Sequence, residues 1–206
     1  MTDKLSAARL IRAQNAIVRL WHRREPSLRR WEDAERAISL PLGGVLASAS
    51  RIALINTFQW HEEDRARDTK ASDAVIADVK RNIDRSNQRR VDAIEALDAI
   101  LERTLRQRAD APLNCETPGS IIDRLSILAL KIFHMAEQHT RRDISVQQKH
   151  KFSQRLRVLK EQRQDLSLCL DQLLKDISSG KRRFKVYFQL KMYNDPETNP
   201  FLRAAR

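Results

Sequence analysis

The residues best suited to chemistry lie on one predicted helix, within residues 116–135. At about 100° per residue, five polar side chains share an arc of roughly 100°: Ser120, Asp123, Arg124, Lys131 and His134. In a ligand site, Arg124 and Lys131 would hold a phosphate. Asp123 and His134 are then the predicted catalytic residues, with His134 as the proton carrier. The alternative is an amphipathic helix whose polar face is solvated.

A second polar face is predicted on the helix that covers about residues 45–67. Four side chains there fall within roughly 60° of arc: Asn56, Trp60, Glu63 and Arg67. In a site, Trp60 would stack on the ligand, Arg67 would hold phosphate and Glu63 would bind a cation. The alternative is a surface ion pair between Glu63 and Arg67, which are four residues apart, with Trp60 partly buried.

A third polar face is predicted on the helix that begins at Asp73 and runs to about Gln107. It carries Asn87, a candidate ligand-binding residue, and the carboxylates of Glu95 and Asp98. A spacing of three residues points both carboxylates the same way, which suits a hard cation such as Mg²⁺. Glu63, Glu95 and Asp98 are therefore the predicted metal ligands, with Asp123 as an alternative, although such pairs arise often by chance on a charged helix.

The elements that must position these residues are helices. Only four glycines and six prolines among 206 residues, with 32% charged residues, are typical of long helices joined by few turns. The apolar spacing predicts an all-α bundle of about six helices, two of them long and side by side, with an extended C-terminal arm. We divide the chain into an N-terminal helical arm (residues 1–44), a bundle core (45–183) and a C-terminal tail (184–206).

Two segments outside the bundle core have their own patterns. The first predicted helix, about residues 5–22, has an apolar stripe through Leu10, Ile17 and Trp21 and is otherwise basic. It can pack in the core, pair with another subunit or lie on an anionic membrane. From Phe184 to Met192 apolar residues alternate, which is the period of an extended segment laid over the bundle or over a neighbouring subunit.

The formal charge of +12 indicates an anionic partner. The cations are spread along the chain, and no recognition-helix motif, zinc-ligand spacing or aromatic platform accompanies them, so we expect nucleic acid to bind only nonspecifically. No stretch reaches the roughly 20 apolar residues of a membrane span, which leaves only peripheral membrane contact open. Cys115 and Cys169 are read as reduced thiols, and the cytoplasm is the expected location.

Three blocks of the chain resemble the bacterial family catalogued as domain of unknown function 4254. They are WHEEDRAR with IDRSNQRRVDAIEALD, then ETPGSIIDRLSILALKIFHM, and finally KVYFQLKMYNDPETNP. The resemblance implies an all-helical cytoplasmic protein and brings no known activity. It also implies a role for family-like positions outside the three polar faces, so Lys191 and Tyr193 join the candidate ligand-binding residues. Phe188 departs from the pattern, because a polar or basic residue is expected there.

Two functions fit these observations. In the first, the three polar faces converge between helices and bind a phosphorylated small molecule, such as a nucleotide, sugar nucleotide or sugar phosphate, with Mg²⁺ as a candidate cofactor. In the second, the protein is a non-catalytic homo-oligomer or scaffold, and the polar faces form ion-pair networks that fix the helix register.

Overall fold

The computed structural model describes residues 5–41, 43–189 and 191–204. The described residues form seven α-helices and no strand: α1 (Ala7–Arg24), α2 (Trp31–Ala37), α3 (Gly44–Arg65), α4 (Asp73–Thr104), α5 (Pro118–Thr140), α6 (Val146–Ser178) and α7 (Pro200–Ala204). Two 3₁₀ turns cover Glu25–Ser27 and Met192–Asn194. The all-α prediction is confirmed, and the two long helices are α4 with 32 residues and α6 with 33.

Helices α1, α3 and α5 form the centre of the bundle and pack against one another. The apolar stripe of α1 is buried in the main core, with Leu10 fully buried and Trp21 1% exposed. Gln14 lies inside this stripe, and its side-chain amide donates to the backbone carbonyl of Ile122 at 2.8 Å. The structure therefore places α1 in the core, one of the three positions that its sequence left open.

The two long helices do not form a main helix pair, so the prediction that they run side by side is wrong. Helix α4 packs chiefly on α3, and α6 packs chiefly on α5. The reason lies in the distribution of apolar residues, because α3 and α5 each bury ten residues. Only four residues of α6 are buried, all in its last third. The more apolar helices therefore occupy the centre, and the long amphipathic helices flank them.

Helix α5 begins as its sequence predicts. Pro118 is its first residue, and the Thr117 hydroxyl caps the helix by accepting from the Ser120 N–H at 3.1 Å. Gly119 is required at the next position, because a Cβ there would lie 2.6 Å from the Asp98 carboxylate of α4. The start of α5 is thus fixed against α4, which sets the distance between their polar faces.

The C-terminal segment runs along α4 without regular secondary structure up to residue 189. Phe184 is buried, and its N–H donates to the side chain of Gln107 at 2.7 Å. The predicted alternation does not bury every second residue, since Phe188 is 69% exposed, and Leu190 lies outside the described residues. The short helix α7 follows within the predicted tail. None of the described helices is both long and apolar enough to cross a membrane.

Candidate functional site

A groove of about 590 Å³ lies between α4, α5 and the C-terminal segment. We call it the α4–α5 groove, and its polar lining consists of Lys80, Asp84, Asn87, Arg90, Ser120, Asp123, Arg124, Gln189, Lys191 and Tyr193. Five of the predicted site residues are in this lining: Asn87, Asp123, Arg124, Lys191 and Tyr193. They come from three separate segments, and the structure brings them together.

Asp123 is the buried centre of a hydrogen-bond network below the groove. Its carboxylate accepts from Arg90 Nε at 2.9 Å and from Arg90 Nη2 at 2.5 Å, a bidentate pair. It also accepts from Asn56 Nδ2 at 2.9 Å, and the same amide donates to Ser126 Oγ at 3.0 Å. The hydrogen bonds to Asp123 raise the pKa of Arg90. Both Asp123 oxygens are therefore engaged in holding Arg90 and Asn56.

The other cations of the groove have weaker partners. Arg124 pairs with Glu116 at 2.9 and 3.0 Å, and both side chains are about half exposed. Lys80 pairs with Asp84 at the surface. The Lys191 ammonium donates to the backbone carbonyl of Asn87 at 3.3 Å. The two exposed ion pairs contribute little to stability, so a phosphate ligand can replace the partners of Arg124 and Lys80 at low cost.

The predicted Trp60, Glu63 and Arg67 line a second cavity of about 440 Å³, beside the α4–α5 groove. Arg90 lines both cavities. Glu63 and Arg67 form an exposed ion pair at 2.9 Å, the surface arrangement that the sequence also allowed. The α3 residues therefore border the groove without joining its lining.

The structure does not bring the three predicted Mg²⁺ ligands together. Asp98 is buried, and its carboxylate accepts from the Gly119 N–H at 2.7 Å at the start of α5. Glu95 accepts from the backbone N–H of Gln189 at 2.7 Å. Glu63 is paired with Arg67 on α3. The spacing of Glu95 and Asp98 put them on one side of α4, but different neighbours engage them.

His134 lies away from the groove, in a cluster with His22 and His61. One ring nitrogen of each residue lies within 4.8 Å of those of the other two. Among the described residues, no other group of three or more potential metal ligands lies this close together. The cluster joins the ends of α1 and α3 to α5. His134 also stacks on Trp60, with ring centroids 5.0 Å apart and planes 9° from parallel.

The environment of His61 and His134 favours neutral imidazoles. Burial, followed by the neighbouring His22 and His134, lowers the pKa of His61 to about 4. Burial and His22 also lower the pKa of His134, although its hydrogen bond to Glu137 opposes the shift. At neutral pH these rings therefore present lone pairs rather than positive charge.

Lys131 lies in a third cavity of about 620 Å³, between α5 and α6. Trp60 and His134 also line it, together with Met135, Val158 and Leu159. The predicted catalytic pair is thus divided, because Asp123 belongs to the α4–α5 groove and His134 to the histidine cluster. Glu63, Asp123 and His134 line three different cavities, and Asp98 lines none of the three.

His22 and His61 were not among the residues predicted from the sequence. They are far apart in the chain and far from His134, so no ligand spacing marks them. One signal was present: each directly follows a tryptophan near the end of a helix, Trp21-His22 in α1 and Trp60-His61 in α3. In the structure Trp21 stacks on His61, with centroids 5.4 Å apart and planes 11° from parallel.

Comparison with known proteins gives one match. A family described as "Protein of unknown function (DUF4254)" matches residues 47–186. The matched region contains α4, α5 and α6 and most of α3, whereas His22, Lys191 and Tyr193 lie outside it. No curated protein and no solved structure matches the chain. Because the match covers more than half of its 206 residues, the chain belongs to the DUF4254 family, whose function is unknown.

Proposed function

We propose that this helical protein binds a phosphorylated small molecule, such as a nucleotide, sugar nucleotide or sugar phosphate, in the α4–α5 groove. The observation that carries the proposal is the composition of the lining. Four cations from α4, α5 and the C-terminal segment line one groove, with two carboxylates: Lys80, Arg90, Arg124 and Lys191, against Asp84 and Asp123. Its volume of about 590 Å³ is in the range of small-molecule sites.

The hydrogen bonds assign different roles to these residues. Arg124 and Lys191 are the phosphate-binding residues, because their present partners are exposed or uncharged. Arg90 is held in place by Asp123, so Asp123 is a positioning residue rather than a proton carrier. Asn87 accepts from Gln59 through its amide oxygen at 2.9 Å, which leaves its N–H₂ group to bind the rest of the ligand.

Mg²⁺ would bind in this site together with the phosphate groups of the ligand. Mg²⁺ in phosphate sites is usually held by one or two carboxylates and by the ligand's own oxygens, and it keeps several waters. Asp84 is the exposed carboxylate of the lining. A requirement for Mg²⁺ is therefore tested by adding the metal together with the phosphorylated ligand, and not by substituting Glu63, Glu95 and Asp98.

The proposal is tested by a thermal-shift screen of nucleotides, sugar nucleotides and sugar phosphates, each with and without Mg²⁺. A ligand at about 100 times its Kd adds about 2.7 kcal/mol, which raises the midpoint of a domain of this size by about 5–10 °C. Arg124→Met and Lys191→Met should each remove the shift without lowering the unliganded midpoint. Arg157→Met, an exposed residue of α6, is the matched control and should keep the shift.

The second candidate is a non-catalytic oligomeric protein, and one observation favours it. The Asp123 network ties α3, α4 and α5 together, which is what a network that fixes helix register does. No shift across the panel, or a shift that Arg124→Met and Lys191→Met leave intact, would overturn the ligand proposal. Analytical ultracentrifugation would then test the oligomer directly.

A further inference from the structure

We propose that His22, His61 and His134 form a binding site for one first-row divalent transition-metal ion, with Zn²⁺ as the most suitable. The site is separate from the α4–α5 groove, since none of the three histidines lines it. It is also unlike the predicted Mg²⁺ set, because its ligands are nitrogen atoms. Imidazole suits Zn²⁺, Cu²⁺, Fe²⁺ and Ni²⁺, whereas Mg²⁺ takes oxygen.

The first support is the state of the six ring nitrogens. His22 Nδ1 is 2.7 Å from the Val18 carbonyl oxygen, His61 Nδ1 is 3.2 Å from Glu25 Oε1, and His134 Nδ1 is 3.0 Å from Glu137 Oε2. The Nε2 atoms of all three are buried and have no hydrogen-bond partner among the described residues. Each ring therefore has the same single nitrogen left to offer.

The second support is the tautomer that these contacts select. A carbonyl oxygen and a carboxylate can only accept, so the Nδ1 atoms of His22 and His134 carry the hydrogen and their Nε2 atoms carry a lone pair. The 3.2 Å contact between His61 Nδ1 and the Glu25 carboxylate favours the same tautomer for His61. Metal-binding histidines are held in this way in proteins, by a carboxylate or a carbonyl on the far nitrogen. The same contacts fix the orientation of the rings.

The third support is geometry. One ring nitrogen of each histidine lies within 4.8 Å of those of the other two, and drawing three such nitrogens together by about 1 Å each would give the Zn–N distance of about 2.0–2.1 Å. Two of the rings are already fixed by stacking, His61 on Trp21 and His134 on Trp60. Three protein ligands leave a fourth position for water, which is the arrangement of a metal ion that can act on a substrate.

Electrostatics around the cluster suit a cation. Glu25 and Glu137 contact two of the rings, and the charge of Asp64 acts on His61 and His134. Burial lowers the pKa of His61 and of His134, so these two rings bring no charge that would repel the ion. Three carboxylates near a divalent cation lower the cost of placing it at a half-buried position.

The experiment is a Co²⁺ titration of untagged protein that was purified with a chelator. Co²⁺ bound by three imidazoles gives visible absorption bands, so binding is read directly and without any enzymatic assay. We expect saturation at one equivalent, loss of the bands on adding Zn²⁺, and no competition from Mg²⁺. Absence of a saturable band, together with no heat of Zn²⁺ binding in calorimetry, overturns the proposal even if every variant fails to fold.

Variants then locate the site. His22→Gln and His134→Gln should each weaken Zn²⁺ binding by more than about 100-fold, and His150→Gln, an exposed histidine of α6, should leave it unchanged. Glu137→Gln keeps all three ligands, changes the partner of His134 and removes a charge that also acts on His61, so it should weaken binding by about 10–100-fold. Binding that His150→Gln removes, or that His22→Gln and His134→Gln leave intact, places the metal elsewhere and overturns the proposal.

Discussion

The Asp123 network and the histidine cluster both include residues of α3 and α5, but their polar atoms differ in whether they have hydrogen-bond partners. Both Asp123 oxygens accept hydrogen bonds, from Arg90 and from Asn56. In the histidine cluster the three Nε2 atoms have no hydrogen-bond partner among the described residues. One site is complete with protein groups alone, and the other has buried acceptors left over.

This difference distinguishes a network that positions side chains from a site that binds a ligand. A buried polar atom without a partner costs about 1–3 kcal/mol, so a fold keeps such atoms where a ligand or a function compensates the cost. A satisfied network has no such requirement, and it holds its members rigidly. We therefore expect Asp123 to position Arg90 for the groove above it, and the three histidines to receive an atom from outside the protein.

The largest expected effect is on the complete network. Asp123→Ala leaves the half-buried Arg90 guanidinium and the Asn56 amide without their acceptor. Removing one partner of a buried pair costs about 3–5 kcal/mol, and we expect about 3 kcal/mol because the side chain of Arg90 is 29% exposed. Urea unfolding followed by circular dichroism measures this change in the free energy of unfolding.

A double-mutant cycle shows whether the pair is the cause. Arg90→Met combined with Asp123→Ala should cost less than the sum of the two single changes, by about 1–3 kcal/mol. Simple additivity would mean that Asp123 stabilises the bundle through Asn56 or through packing. Asp123 would then be an ordinary buried residue and not part of a network that positions Arg90.

A second contrast is between two buried carboxylates, Asp123 with its guanidinium and Asp98 without one. Burial is the main cause that raises the pKa of Asp98 above its ordinary value of 3.8, and Glu102 adds to it, while hydrogen bonds from Thr117 and Gly119 oppose it. The folded protein therefore binds this proton more tightly than the unfolded chain does. The stability that Asp98 contributes is fully present below its ordinary pKa and is lost as the pH rises through the raised pKa.

Asp98→Asn tests this sign, because asparagine does not titrate. The free energy of unfolding of Asp98→Asn relative to the wild type should increase as the pH rises from about 4 to 7. Asp143→Asn is the control with almost no change over this range, since the hydrogen bond from Arg141 lowers the pKa of Asp143 and its contribution changes mainly below about pH 4. Equal slopes for the two variants in urea unfolding would contradict the assignment for Asp98.

The sequence was sufficient for the helices and for much of the groove. Pro118 after Thr117 predicted the start of α5, and the one-sided spacing of polar residues selected Asn87, Asp123 and Arg124. These features are local, since capping and helical periodicity depend on residues a few positions apart. Capping and periodicity were therefore enough to identify the polar face of each helix, but not the residues that each face contacts.

The features that were missed depend on distant partners. Glu95 and Asp98 share one side of α4, but the C-terminal segment engages one and the start of α5 engages the other. The histidine cluster needs the ends of α1 and α3 to meet α5, and no spacing in the chain records that meeting. The packing of helices against one another determines which side chains meet in such sites. The amphipathic pattern of the two long helices does not predict which helix each of them packs against.

The smallest expected effect is in the histidine cluster, in protein kept free of metal by a chelator. His61→Phe removes one unpartnered nitrogen and keeps an aromatic ring against Trp21. It also removes the contact with the half-exposed Glu25, which is worth about 0–1 kcal/mol. The two changes oppose each other, so we expect the free energy of unfolding to stay within about 1 kcal/mol of the wild type.

The same variant should lose the stabilisation that Zn²⁺ gives to the wild type, because only two ligands remain. Melting curves of both proteins, with chelator and with Zn²⁺, measure the two effects in one experiment. A loss as large as that of Asp123→Ala in metal-free protein would mean that the His61 ring already has a stabilising partner. The cluster would then be as complete as the Asp123 network, and the reason to expect a metal there would disappear.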